Sequence, residues 1–139
     1  WWSGLTMTDA KAGLGLVEPQ LIHEVIDGQS YWLAASAPLA EVGGPVASLL
    51  PNYDEYIVGY TDRRAIFEPQ LDERSNPLFM HTVVIDGQIA GTWKRTFTKN
   101  SVNVTFSPFM PWNEAQTEAV YTAAQRYAEF VGLSLRVNF

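Results

Sequence analysis

The tetrapeptide Ile-Asp-Gly-Gln occurs twice, at residues 26–29 and 85–88, and each copy separates two runs of strand-forming residues. Asp-Gly at the centre of a two-residue loop favours a type I′ hairpin, because both positions need positive φ. Each copy therefore predicts a ribbon together with its register. The first, "LIHEVIDGQSYWL", sets Val25 opposite Ser30, Glu24 opposite Tyr31 and His23 opposite Trp32. The second, "HTVVIDGQIAGTWKRTF", sets Val84 opposite Ile89. Counting outward, one face of it carries Val84, Ile89, Gly91, Trp93 and Phe97, and the other Val83, Ile85 and Ala90. Apolar residues on both faces predict a curled or covered sheet. The flanks of the two turns do not repeat, so the likeness is one of turn chemistry and not of duplication.

The remaining segments extend this frame. "TMTDAKAGLGL", residues 6–16, reads as a short helix in which Thr6 and Asp9 have capping-box spacing. A short helix followed by a two-stranded ribbon is how a winged helix ends. Residues 34–48 are small and rich in Gly and Pro, and they make the best boundary. The stretch "LLPNYDEYIVGYTDRR" follows, with one strand or turn expected in "YIVGY", and then a turn or short helix and a polar loop reaching Pro77. "VNVTF" is an alternating strand with Val102, Val104 and Phe106 on one side. Residues 113–131 form the clearest helix. Asn113 is its N-cap with Gln116 three residues on, Gly132 is its stop, and Val120, Ala124, Tyr127 and Val131 form its core stripe. "LSLRVNF" supplies a last strand. The expected class is α+β: a curled, barrel-like antiparallel sheet (residues 46–139) packed with one long C-terminal helix, preceded by a winged-helix remnant (residues 1–36).

Composition narrows the function. A chain of 139 residues, 47% apolar and 17% charged, suits an ordinary globular core. Nine basic against fifteen acidic residues leave a net charge of -6. A self-sufficient nucleic-acid binder usually has a basic face, because phosphate contacts supply most of its affinity. The imbalance is uneven: residues 81–139 carry five basic and four acidic side chains, and residues 1–80 carry four and eleven. With no cysteine, disulfides, thiolate nucleophiles and cysteine-zinc sites are excluded. No apolar run approaches the roughly 18 residues of a membrane span, and no signal peptide is visible. A cytoplasmic protein without a membrane partner is the simplest expectation. The opening Trp1-Trp2, without an initiator Met, suggests a cut through a longer parent.

Candidate chemistry is sparse. Asp54 and Glu55, if extended, point to opposite faces and cannot easily share a site. One of them could serve as a general base. The structural alternative pairs one with Arg63 or Arg64 and leaves the other in solvent, and it is favoured because buried carboxylates are usually paired. His23 and His81, the only histidines, lack metal-ligand spacing and any triad context. No Gly-x-Ser-x-Gly elbow occurs, and Gly43-Gly44-Pro45 lacks the lysine of a phosphate-cradling loop. No catalytic residue, metal ligand or cofactor is therefore assigned. "TWKRTFTK" is the basic cluster, and Lys94, Arg95 and Lys99 are the candidates for touching a phosphate backbone. Ordinary solvated strand charges are the favoured reading. Trp1, Trp2, Tyr31 and Trp32 could stack on bases, but packing against missing partners is the favoured reading.

The motifs "WWSGLTMTDAKAGL", "DGQSYWL", "LLPNYDEYIVGYTDRR" and "VVIDGQIAGTWKR" occur in an order that resembles the C-terminal part of a bacterial winged-helix DNA-binding-domain family. That family includes the AlkZ-type DNA glycosylases, which excise alkylated or crosslinked bases. The most specific match is the middle motif, with Asp54, Glu55, Tyr56, Asp62 and Arg63 as its signature residues. The resemblance implies tandem winged-helix units followed by a β-barrel-like domain, with double-stranded DNA as the partner of the full-length parent. It also implies a Gln-x-Gln catalytic motif, which this chain lacks. The resulting expectation is a non-catalytic C-terminal portion of a winged-helix DNA-binding protein that supports DNA binding. The alternatives are part of a DNA glycosylase, or a module for small ligands or protein partners.

Overall fold

A computed structural model describes residues 3–36, 43–59, 62–67 and 79–139. The chain forms two compact units, Trp1–Glu41 and Val42–Phe139. The part of the expected polar loop from residue 68 to Pro77, and the roles considered for Trp1 and Trp2, lie outside the described residues.

In the first unit, helix α1 (Met7–Val17) starts where the sequence predicts. The Thr6 hydroxyl accepts from the Asp9 amide at 3.1 Å and donates to the Asp9 carboxylate at 2.6 Å. This is a partial capping box, since the carboxylate meets the cap's hydroxyl. After a 3-10 turn at Glu18–Gln20 come β1 (Leu21–Ile26) and β2 (Gln29–Ala34). Their register is the expected one, His23 opposite Trp32 and Val25 opposite Ser30. Asp27 and Gly28 both take positive φ, as type I′ requires. No described residue of this unit is buried.

The second unit has a five-stranded sheet in the order β3-β4-β5-β6-β7. Its strands are β3 (Ala47–Leu50), β4 (Thr82–Ile85), β5 (Gln88–Phe97), β6 (Ser101–Pro108) and β7 (Ser134–Asn138), with α2 (Glu55–Val58) after β3 and α3 (Glu114–Val131) before β7. The two Asp-Gly ribbons thus belong to separate sheets. The class is α+β, but three details differ from expectation. The sheet is mixed, because α3 returns the chain and β7 enters parallel to β6. It is an open sheet with β3 and β7 at its edges, so no closed barrel forms among the described residues. Finally, β3 arises from the end of the expected boundary segment, where Ala47 is buried against the core.

A bulge at the second ribbon changes its faces. Val84 pairs with Ile89 as expected, but Val83 pairs with Gly91, leaving Ala90 as the extra residue. Ile89 joins Val84 and Ile57 in one cluster. Trp93 moves to the opposite face and packs with Val83, Ile85, Val102, Val104 and Phe106 beneath α3. The Ala90 carbonyl accepts from the Phe109 amide, continuing the β5–β6 register, and from the Trp112 indole. Glycine is needed at position 91, where a Cβ would lie 2.8 Å from the Ser107 carbonyl oxygen.

Helix α3 closes the main core through Val120, Ala123, Ala124 and Ala128. Asn113 and Gln116 form a full capping box. Gly132, at φ 70°, ends the helix in a Schellman arrangement, with the Leu133 amide donating to Ala128 and the Gly132 amide to Glu129.

Candidate functional site

The signature stretch forms a bracket around the second hairpin. A four-residue helix such as α2 cannot stand on its own propensity. Three side chains hold it. Asp54 is its N-cap, the carboxylate accepting from the Tyr56 amide at 2.9 Å. Ile57 is fully buried against Val84 and Ile89. Arg63 donates through Nε to the Ile57 carbonyl at 2.8 Å, satisfying a group at the end of the turn. Tyr53, just before the cap, sits at φ 60°, a conformation costing a bulky residue about 1–2 kcal/mol. The cap and the buried Ile57 offset that strain.

From this platform Tyr56 reaches the hairpin turn. Its hydroxyl donates to the Gly87 carbonyl at 2.7 Å. The following segment continues the contact: Ile89 donates its amide to the Ile66 carbonyl at 2.8 Å, and the Gln88 side chain donates to Ala65 at 2.7 Å. On the other flank the Asp86 carboxylate accepts from the Val46 amide at 2.8 Å. "YIVGY" is therefore a helical turn with Gly59 as its cap, and Tyr60 lies outside the described residues. The expected ion pairs of Asp54 or Glu55 are replaced by other partners. Asp54 caps, Glu55 is exposed, and Arg64 forms a bidentate pair with Asp62. That pair is largely exposed and contributes little to stability.

The basic trio is not one patch. Lys94 and Arg95 are adjacent on β5 and so point to opposite faces. Lys99 is exposed in the β5–β6 connection. Arg95 lies on the α3 side, its guanidinium 5.5 Å from the Trp93 ring centre and 5.9 Å from that of Tyr127. It also donates to His81 Nε2 at 2.6 Å. Burial, and then the neighbouring Arg95 charge, hold the His81 pKa below the ordinary histidine value. The unfolded chain takes up this proton first as pH falls through about 6.5, so folding weakens there and regains its full strength above it. His81→Gln should accordingly lose less urea resistance than the parent between pH 7 and pH 5.5. Parallel loss in the two proteins would show that His81 contributes nothing to the pH dependence.

Two other features carry no evident chemistry. A cleft of about 300 Å³ beside the hairpin is lined by Ile85, Asp86, Ile89, Phe109, Trp112 and Gln116. Its one carboxylate, that of Asp86, already serves the Val46 amide. In the first unit His23 stacks on Trp32 with ring centres 4.3 Å apart. Among the described residues no group of three His, Asp or Glu side chains could hold a metal ion, and no helix is long and apolar enough to cross a membrane. Sequence reading passed over Arg136, exposed on β7. The alternation of "LSLRVN", apolar at 133, 135 and 137, carried the signal that Arg136 faces away from the core.

Comparison with known proteins gives a family. The family model described as DNA glycosylase AlkZ-like matches residues 1–130. Among solved structures, the Streptomyces sahachiroi DNA glycosylase AlkZ aligns with a TM-score of 0.61 at 19% identity, over 96% of this chain and 38% of that one. The chain thus spans well under half of that protein, and at such identity the likeness speaks to fold alone. No curated protein matches the sequence.

Proposed function

This chain belongs to the AlkZ-like DNA glycosylase family, and we propose that it is a portion of a DNA-handling protein that supports duplex binding without itself excising bases. One observation carries the non-catalytic part. Three signature groups suited to chemistry are committed to backbone, Asp54 to the Tyr56 amide, Tyr56 to the Gly87 carbonyl and Arg63 to the Ile57 carbonyl, and Glu55 is left at the exposed surface. They hold a hairpin, which is an architectural task. We further assign residues 1–36 to the end of a winged-helix unit. The α1–ribbon order and the lack of any buried described residue there support this, since such a piece needs more chain to cover it.

A second reading, in which the chain takes part directly in base excision, is favoured by the family description. One experiment separates the two. The purified chain is titrated against fluorescent duplex DNA over a salt series, then incubated with alkylated duplex. Support of DNA binding predicts association at low salt. With about two phosphate contacts, the slope of log K against log salt should be near -2. No abasic sites should form. Absence of binding at the lowest salt would overturn the supporting role, and abasic sites released by this chain would transfer the reading to catalysis.

A further inference from the structure

We propose that the face of the five-stranded sheet turned away from α3, centred on Lys94 and Arg136, docks the phosphodiester backbone of duplex DNA. The inference rests on the DNA-handling role proposed above and assigns it a surface. Strand register defines that surface. Lys94 pairs with Thr105, and Thr105 with Asn138; Thr96 pairs with Asn103, and Asn103 with Arg136. Partners across a ladder share a face, so these six side chains form two adjoining rows. Their neighbours along each strand, Trp93, Val102, Val104, Leu135 and Val137, belong to the core beneath α3. The two rows therefore look outward, and Lys94, Thr96, Thr105, Arg136 and Asn138 are exposed.

The chemistry of the face is one-sided. Its three strands offer two cations with hydroxyl and amide groups and no side-chain carboxylate, because β5, β6 and β7 contain no Asp or Glu. In a chain of net charge -6 this is a local inversion. The acidic residues of α3, Glu114, Glu118 and Glu129, belong to the layer on the opposite side of the sheet. At a packing distance of about 10 Å, they are about one Debye length away at physiological salt. Asp54, Glu55 and Asp62 belong to the segment over Val84 and Ile89, near the other end of β5. Lys94 and Arg136 stand two strands across and two residues along, roughly 12 Å between Cα atoms from ordinary strand spacings. Such a pair can neutralise separate phosphates, while Thr and Asn donate to phosphate oxygens without reading sequence. The face lacks the large apolar side chains that would insert into a lipid surface.

The test uses the whole 139-residue chain and a fluorescent random-sequence duplex. Lys94→Glu and Arg136→Glu are compared with the double variant Thr122→Glu/Gln125→Glu, which makes the same charge change at exposed positions of α3, on the other side of the sheet. Lys94→Gln and Arg136→Gln guard against misfolding of the reversals, and circular dichroism and urea midpoints check every variant. Each face reversal should weaken low-salt binding about five- to tenfold. Each glutamine variant should reduce the salt slope by about one, and Thr122→Glu/Gln125→Glu should stay within about twofold of the parent. If the parent binds duplex but folded face variants bind equally well, or lose no more than Thr122→Glu/Gln125→Glu, the face is wrong and the DNA-handling role survives. If the parent binds no duplex at the lowest salt, or binds anionic vesicles in its place, both fail.

Discussion

Replacing Trp93 with alanine should lower the unfolding free energy of the five-stranded unit by about 3–5 kcal/mol, the usual cost of removing a buried tryptophan. Trp93 is 3% exposed and joins three parts of the molecule. Its indole N–H donates to the Leu50 carbonyl on β3 at 3.0 Å. Its ring meets His81 edge-on at 5.1 Å and Tyr127 of α3 at 5.2 Å, and Arg95 lies over it. Alanine would leave a cavity and deprive the carbonyl of this donor. Trp93→Phe should recover most of the packing and lose about 1 kcal/mol for the hydrogen bond. Urea unfolding measures both. A loss below about 1 kcal/mol for the alanine variant would mean that this side chain is not the keystone its contacts indicate.

Ile57→Ala should cost about 2–5 kcal/mol, and its effect should be local as well as global. Ile57 is the buried residue of α2 and the member of that turn in the cluster with Val84 and Ile89. Without it, the Asp54 cap and the Arg63 bond hold a turn with no apolar anchor. The bracket should then open before the sheet does. Hydrogen exchange reports this directly, because the Gly59 amide donates to Glu55 and the Ile89 amide to Ile66. Both should exchange faster in Ile57→Ala, while the amide of Trp93, bonded to His81, should be affected only through global stability. Unchanged protection at Gly59 and Ile89 would contradict the bracket.

What was legible in the sequence was what local chemistry decides. Asp27-Gly28 and Asp86-Gly87 specified both ribbons, because few residues tolerate positive φ at successive positions. Asn113, Gln116 and Gly132 marked both ends of α3 through groups that must be satisfied wherever the helix lies. What was not legible depended on contacts far apart along the chain. The bulge at Ala90 has only the neighbouring Gly91 as a local mark, yet it sends Trp93 to the face opposite Ile89. The parallel pairing of β7 follows from where α3 delivers the chain, and no residue of "LSLRVNF" encodes a direction. β3 escaped notice because four residues after a Gly-Pro-rich stretch give too little alternation.

The candidate site divides in the same way. Asp54, Tyr56 and Arg63 were recognisable as a signature. Their tasks required Gly87, 31 residues from Tyr56, to be placed beside the turn. Lys94, Arg95 and Lys99 were read as one basic cluster because they are close in sequence. Strand alternation separates Lys94 from Arg95 and brings Arg136 to Lys94's face from the last strand.

The signature residues act through architecture, and Tyr56→Phe tests this most directly when stability and duplex affinity are measured on the same preparation. The substitution removes one hydroxyl, bonded to the Gly87 carbonyl, from a ring that is 38% exposed. Urea unfolding should show a loss of about 1 kcal/mol, and the folded variant should bind duplex DNA within about twofold of the parent. Unchanged stability together with lost duplex binding would place Tyr56 in the chemistry of DNA contact and contradict the account.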